Sequence, residues 1–328
     1  MRKYNVAVVG VGAVGEEMLR VIKQRNFPVK NLKVFARSSR EIIVDKQKYS
    51  VEQISAQGFE GVDIALFAGT EGEKGAALTY AHEAVKRGAI VIDNGGDFRL
   101  KKDVPLVVPE VNPGDVKKHK GIIANPNCST IQFAVALWPI YKAVGIKRAI
   151  ACSYQAVSGA GRGGVRQLES EIRGEKSLVE AFAYQISKNV FPQIGSFGKF
   201  GFTSEEWKLV DESRKILHDK RIKISATCVR VPVVTGHSEA IYLETRNPLS
   251  ADRATDILRK KGSGIKVIDH PGGNFPVPID AAGKDEVFIG RIRRDPFVKN
   301  GLWLWVVADN LRKGAALNAV QIAELLCS

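Results

Sequence analysis

From Tyr4 to Pro126, short apolar runs alternate with stretches whose apolar positions recur at helical spacing. YNVAVVG reads as a strand, a glycine turn follows, and EEMLRVIKQ places its apolar residues on one helical face. NLKVFA and VDIALFAG are the next strands, KGAALTYAHEAVKRG is a helix, and AIVIDNGG and GIIANP are further strands. Strand and helix in alternation predict a parallel, doubly wound sheet with helices on its faces.

Beyond Asn127 the pattern changes. IKRAIACSYQAVSG, RIKISATCVRVPV, SEAIYLETRN, IKVIDH, DEVFIGRIRR and GLWLWVVADN read as long strands separated by helices. They predict a mixed or antiparallel sheet in a second, α+β domain. The chain ends in KGAALNAVQIAELL, again with helical apolar spacing.

The 328 residues, 45% of them hydrophobic, suffice for a substantial core and favour two domains over one. No apolar run reaches the roughly 20 residues that span a bilayer, and MRKYNVAVVGVG enters a strand directly, without a signal-peptide pattern. The four cysteines, Cys128, Cys152, Cys228 and Cys327, are scattered and form no CxxC pair. A soluble protein of the reducing cytoplasm, without a membrane or metal partner, is expected. The formal charge of +14 raises nucleic-acid binding. The basic residues are spread along the chain with neither a basic tail nor a basic–aromatic motif, which argues against nucleic acid and fits a surface that attracts anionic small molecules.

The turn after the first strand carries Gly10, Gly12 and Gly15 in the spacing GxGxxG, between a strand and a helix. In that context glycines let the backbone approach a pyrophosphate at the helix N-terminus, as in a Rossmann-type dinucleotide site. An NAD site carries an acidic residue near the end of the second strand. Here the strand runs into FARSSRE, and Arg37, Ser38, Ser39 and Arg40 offer donors suited to a 2′-phosphate. NADP(H) is the expected cofactor.

In IIANPNCSTIQFAVALWP, Cys128 stands between polar turn formers where a strand gives way to a helix, with Asn127 or Ser129 as N-cap. The dipole and the free N–H groups of a helix N-terminus favour thiolate. A thiolate beside a nicotinamide points to covalent catalysis at a carbonyl carbon coupled to hydride transfer.

NPNCST, SYQAVSGAGRGGVRQLESE, CVRVPVVTGHSEA, DEVFIGRIRRD and WVVADNLRKGAALNAVQIAELL resemble the aspartate-β-semialdehyde dehydrogenase family, from the first strand to the C-terminus. The resemblance implies NADPH-dependent conversion of L-aspartyl 4-phosphate to L-aspartate 4-semialdehyde with release of phosphate, a step preceding lysine, methionine and threonine synthesis. It implies a nucleotide domain of residues 1–128 joined by the C-terminal helix 312–328, a catalytic and dimerisation domain of residues 129–311, and a homodimer. Cys128 is then the nucleophile that forms a thioacyl enzyme, and His237 the general acid/base, a role that suits an imidazole. Gln155 positions substrate and nucleophile. Arg230 grips the α-carboxylate, for which its fork is matched. Glu212 and Lys215, three apart in EEWKLVDESRKIL, read alone as a surface ion pair. The resemblance assigns them the substrate ammonium and the phosphate, with Arg99 as the other phosphate ligand. Gly10, Gly12, Ala13, Val14, Gly15, Arg37, Ser38, Ser39, Arg40 and Asn310 are the expected cofactor contacts.

The glycine loop is one residue shorter than the GATGAVG form common in that family, and AGTEGEKGAA and DNGGDFR depart from its serine-rich versions. N-acetyl-γ-glutamyl-phosphate reductase is the competing reading. Its substrate has no free ammonium, so Glu212 with QAVSGAG argues against it.

Overall fold

A computed structural model describes residues 2–69, 75–175, 181–269 and 272–327. The expected segment AGTEGEKGAA and the stretch from Gly174 to Glu206 each fall partly outside the described residues. The chain divides into two compact units, Met1–Asn127 with Ala315–Ser328, and Cys128–Gly314.

The first unit is built on a seven-stranded sheet. Its elements are β1 (Tyr4–Val9), α1 (Ala13–Gln24), β2 (Val29–Ala36), β3 (Arg40–Val44), β4 (Gln47–Gln53), β5 (Ile64–Phe67), α2 (Ala76–Lys86), β6 (Ile90–Asp93) and β7 (Ile122–Ala124). The strand order is β3-β4-β2-β1-β5-β6-β7. All pairings are parallel except β3 with β4. The parallel core follows the apolar runs noted above. Val6, Val8, Ile64, Leu66, Ile92 and Ile123 are buried with Leu19 and Ile22 of α1 and with Leu317, Val320 and Ile322 of the C-terminal helix Leu317–Leu326. Asn318 of that helix donates to Asn125 Oδ1 (2.6 Å) and to the carbonyl of Val107 (3.0 Å), so the helix is fixed by a buried polar contact as well as by apolar area.

The hairpin β3–β4 is absent from the pattern reading. Its two-residue turn, Asp45–Lys46, has φ of 48° and 65° at residues other than glycine, so the usual turn signal is missing. The period-2 signal is there in Ile42, Val44, Tyr49 and Val51, which face the core side of an otherwise charged ribbon.

The second unit carries a six-stranded mixed sheet of order β11-β12-β13-β10-β8-β9. The strands are β8 (Ile146–Gln155), β9 (Lys223–Arg230), β10 (His237–Thr245), β11 (Ile265–Val267), β12 (Val287–Arg294) and β13 (Gly301–Ala308). The helices are α3 (Cys128–Val144), α4 (Gly161–Ile172), α5 (Ser204–Ile216), α6 (Ala251–Lys261) and the single turn α7 (Pro278–Ala281). β8 and β9 are parallel, whereas β10 is antiparallel to both β8 and β13. Helix α3 is apolar nearly all round and buried, as expected of a helix covered on several sides. Thr203 and Glu206 form a reciprocal capping box at the start of α5. The remaining Glu206 oxygen accepts the backbone N–H of Cys228 (3.0 Å), satisfying the outer edge of β9.

Asp219, just after α5, is buried and ties helix to strand. It accepts from Tyr141 Oη of α3 (3.1 Å) and from the backbone and Nε of Arg221 (2.9 and 3.0 Å). The Arg221 guanidinium holds its carboxyl down to about 2. A carboxyl depressed below its unfolded value of about 3.9 stabilises the fold above that pH and loses the contribution as pH falls toward 2. Asp219→Asn is therefore expected to cost about 1 kcal/mol at neutral pH, the Arg221 side being in solvent. The gap between the two proteins in denaturation midpoint should close between about pH 4 and the acid limit. A gap that persists there would assign the effect to packing.

Candidate active site

Within the second unit, three neighbouring strands bring functional side chains to one edge of the sheet. The parallel strands β8 and β9 end there together, with Gln155 and Arg230 as register partners. Antiparallel β10 begins there with His237, beside the β8 residue Tyr154 through its neighbour Ser238. Cys128 opens α3 over this edge, and its Sγ lies 3.3 Å from His237 Nε2.

Each side chain is held from behind. His237 is fully buried, and its Nδ1 accepts the backbone N–H of Ala156 (3.1 Å). Burial holds its pKa well below the ordinary value, and the neighbouring Arg230 pushes it the same way. Arg230 donates through Nη1 to the Ala156 carbonyl (2.6 Å), and its guanidinium lies 5.4 Å from the centre of the Phe182 ring. It is buried, and its Nε has no hydrogen-bond partner, so part of the fork remains for an anion. Burial lowers the Arg230 pKa, opposed by the Cys128 thiolate beside it. A side chain at Gly159 would begin 2.9 Å from Arg230 Nη1 and 3.2 Å from the imidazole, so glycine there leaves room beside both groups.

Gln155 donates to Ser153 Oγ (3.2 Å) and to Glu205 Oε1 (3.4 Å). Glu205 stands in the first turn of α5, buried, with Lys208 3.8 Å away. Neither was singled out from the sequence. Glu212 and Lys215 lie on the same helical face, two turns on, or about 10 Å further along the axis. Of the two glutamates, Glu205 is the one that meets Gln155, and Glu212 is buried farther along the helix. The signal that could have found Glu205 is the capping box in TSEE, which marks where α5 starts.

Beneath the site lies a thiol unsuited to chemistry. Cys228 is fully buried, and burial pushes its pKa up. Glu239, two residues along β10 from His237, is also fully buried, and burial raises its carboxyl well above the usual range. Gln132, one turn along α3 from Cys128, opposes that shift without a hydrogen bond of good geometry, and neither Glu239 oxygen has a partner. Asn310 belongs to the same unit. It accepts the N–H of Gly236 (2.9 Å) and donates to Ser158 Oγ (2.9 Å), joining the turn before His237 to the segment after β8.

In the first unit, α1 starts at Gly12 without a side-chain cap, and nothing lies within 4 Å of where a Gly12 side chain would begin. A side chain at Gly15 would overlap the carbonyl oxygen of Gly10, so the helix packs against the turn only with glycine there. Ala13 and Val14 form the first turn of α1. The open N-terminus fits a dinucleotide pyrophosphate. Arg37, Ser38, Ser39 and Arg40 are exposed after β2; Arg40 Nη1 contacts Ser38 Oγ (3.2 Å), and Ser39 Oγ accepts Gln53 N–H (2.9 Å). Arg99 is buried and braced on the carbonyls of Asn125 (2.9 Å) and Asn94 (2.6 Å), past the ends of β7 and β6. Among the described residues no cluster of metal-binding side chains occurs, and no helix is long and apolar enough to cross a membrane.

Residues 5–119 match the family of the semialdehyde dehydrogenase NAD binding domain, and residues 137–313 that of the semialdehyde dehydrogenase dimerisation domain. The chain is 51% identical to the aspartate-semialdehyde dehydrogenase of Aquifex aeolicus, over 98% of each chain. It is 46% identical to that of Bacillus subtilis, over 99% of this chain and 98% of the other. A crystal structure of Vibrio cholerae aspartate semialdehyde dehydrogenase II complexed with ASA superposes with a TM-score of 0.94 at 45% identity, covering 100% of this chain and 99% of that one. With matching sequence, two matching domains and a thiol–imidazole pair at the sheet edge, this chain belongs to the aspartate-semialdehyde dehydrogenase family.

Proposed function

We propose that this protein is an NADP-dependent aspartate-semialdehyde dehydrogenase that reduces L-aspartyl 4-phosphate to L-aspartate 4-semialdehyde and releases phosphate. The observation that carries the reading is the 3.3 Å contact between Cys128 Sγ and His237 Nε2 at a helix N-terminus. A thiolate favoured there attacks the acyl phosphate, the C–O bond to phosphate breaks, and a thioester remains on Cys128. When bound, the nicotinamide supplies the hydride that takes the thioester to the aldehyde level.

Arg230, buried with a free Nε, is given the α-carboxylate, and Glu205 the ammonium. Gln155, the register partner of Arg230, donates to Glu205. Lys208, beside Glu205, replaces Lys215 as the phosphate ligand in this unit. An acetylated amine carries no charge to meet the Glu205 carboxylate, which favours the aspartyl substrate over an N-acetylglutamyl one. Arg37 and Arg40, in place of an acidic residue after β2, favour the 2′-phosphate of NADP.

A homodimer is the further part of this reading. The face of the second sheet opposite α3 carries Ile150 and Tyr154, each 37% exposed, and Tyr154–Trp305 and Tyr242–Trp303 ring pairs with centroids 5.7 and 5.1 Å apart. An aromatic, half-exposed sheet face is suited to a second copy. Sedimentation should give twice the chain mass for the wild type and a shift toward monomer for Tyr154→Lys; a monomeric wild type overturns the dimer.

The activity is tested in reverse, as phosphate-dependent reduction of NADP or NAD with L-aspartate semialdehyde or N-acetylglutamate semialdehyde. Turnover with the aspartate aldehyde and preference for NADP are expected. Cys128→Ala should abolish it while leaving NADPH binding, followed by fluorescence, unchanged. Turnover only of the acetylated aldehyde overturns the substrate, and equal efficiency with NAD overturns the cofactor preference.

Glu205→Gln should raise KM for the aspartate aldehyde by about tenfold or more, the loss of one charged hydrogen bond. Glu212→Gln should leave KM within about twofold of wild type in protein that remains folded. The opposite pattern returns the ammonium to Glu212.

A further inference from the structure

Behind the thiol and the imidazole, the same two elements carry a second polar pair, Gln132 on α3 and Glu239 on β10. We infer that these two side chains form a closed amide–acid pair that sets the register of α3 against β10, and through it the place of Cys128 beside His237. They are positioning residues for the reaction proposed above, and the inference rests on that reading.

The spacing along the two elements matches. Gln132 lies four residues beyond Cys128, or about 6 Å along the helix. Glu239 lies two residues beyond His237, on the same face of the strand and about 7 Å along it. One turn of helix and one repeat of strand thus advance nearly together. The step that leads away from the Cys128–His237 contact on both elements arrives at Gln132 and Glu239. The two are near enough for the Gln132 amide to act on the Glu239 carboxyl. Both side chains are buried, and among the described residues their four polar atoms have no partner elsewhere.

Those four atoms are complementary. A protonated carboxyl offers one O–H donor and one carbonyl acceptor. A primary amide offers an N–H donor and a carbonyl acceptor, so the two groups close a ring of two hydrogen bonds. Turning the amide about its terminal torsion, which has no sharp preference, brings them into line. A carboxylate could only accept, and would leave the Gln132 oxygen facing negative charge. The surroundings favour the acid. Ser153 of β8 and Val306 of β13 are the register partners of Glu239. Cys228 of β9, close enough to feel its charge, is buried and itself pushed up. Desolvation outweighs the Gln132 amide and raises the Glu239 carboxyl.

The rest of the contact surface does not specify register. From Ile131 to Leu137 every other residue of α3 is apolar and buried. Apolar contact is non-directional and tolerates a rotation or a slide of the helix. A directional pair in its midst does not, and a buried polar pair of this kind fixes register while adding little to stability. The 3.3 Å contact between Cys128 and His237 lies one turn away, so a helix held at Gln132 holds the thiol as well.

Three proteins test this. Glu239→Gln keeps a donor and an acceptor opposite Gln132. The exchange of Gln132→Glu with Glu239→Gln turns the pair around. Gln132→Met with Glu239→Met fills the same space with flexible apolar side chains and leaves neither group orphaned, so its thermal midpoint should equal or exceed that of the wild type. With the aspartate aldehyde, phosphate and NADP, the first two should keep kcat within about threefold of wild type. The methionine protein should lose about tenfold or more in kcat, with KM within about threefold. Carboxymethylation of Cys128 by iodoacetate in resting protein, followed by the mass of its peptide, gives a second readout. Its pH midpoint should rise in the methionine protein, as the thiol parts from the imidazole, and stay in place in Glu239→Gln. A methionine protein with wild-type kcat and midpoint overturns the inference. One that is clearly less stable than wild type makes the pair a stability element and overturns its register role. A Glu239→Gln protein that falls about tenfold or more also overturns it, because the carboxyl then carries a charge or a proton of its own. The alkylation needs no substrate, so its outcome stands apart from whether aspartate semialdehyde is the substrate.

Discussion

The ends of β8 and β9 and the start of β10 meet at one edge of a mixed sheet, and the candidate active site exists because of that coincidence. In a parallel pair both strands finish at the same edge, so Gln155 and Arg230 arrive side by side. An antiparallel third strand begins where its neighbours stop, and this delivers His237 to the same place from the opposite chain direction. A fully parallel sheet would have sent the start of β10 to the far edge. The polypeptide that leaves β8 then has a residue, Ala156, whose N–H and carbonyl engage His237 and Arg230 instead of a sheet neighbour.

The cost of this arrangement is a polar layer inside the protein. His237, Arg230, Glu239, Gln155 and Gln132 are all buried between the sheet and its helices. Several of their atoms lack partners, which is unfavourable wherever it occurs. The apolar surround offsets it: Ile131, Phe133, Ala134, Val135 and Leu137 of α3 are buried on several sides, and Ile241, Leu243, Leu302 and Leu304 continue the same sheet face away from the site. These five residues gather toward the edge at which β10 begins. Their burial also sets their chemistry. Desolvation works against the charged form of each, raising the Glu239 carboxyl and the Cys228 thiol and lowering the His237 imidazole, while Cys128 is only partly buried, at the start of α3.

Much of this was legible in the chain. The alternation of strands and helices to Pro126, the glycine turn, and the change to long strands after Asn127 are local patterns, and local patterns follow from periodicity and steric preference alone. A cysteine between asparagine and serine at a strand–helix boundary is likewise a local signal, because the field of a helix N-terminus needs only the first turn. The β3–β4 hairpin was missed because its turn lacks the glycine that normally announces one.

What the sequence determined by itself is therefore most of the set of elements and the place of the candidate thiol at the head of α3, both governed by neighbours a few positions away. The tertiary structure decided which glutamate meets Gln155 and which backbone group holds the histidine. Glu205 and Glu212 share a helical face and differ only in how far along α5 they sit, so only the packing of that helix beside β9 sets the first against Gln155. The Nδ1 of His237 accepts from an amide 81 positions away in the chain, through a contact that exists once β8 and β10 are paired. Hydrogen bonds between distant residues depend on register, and register is fixed only when the sheet is assembled.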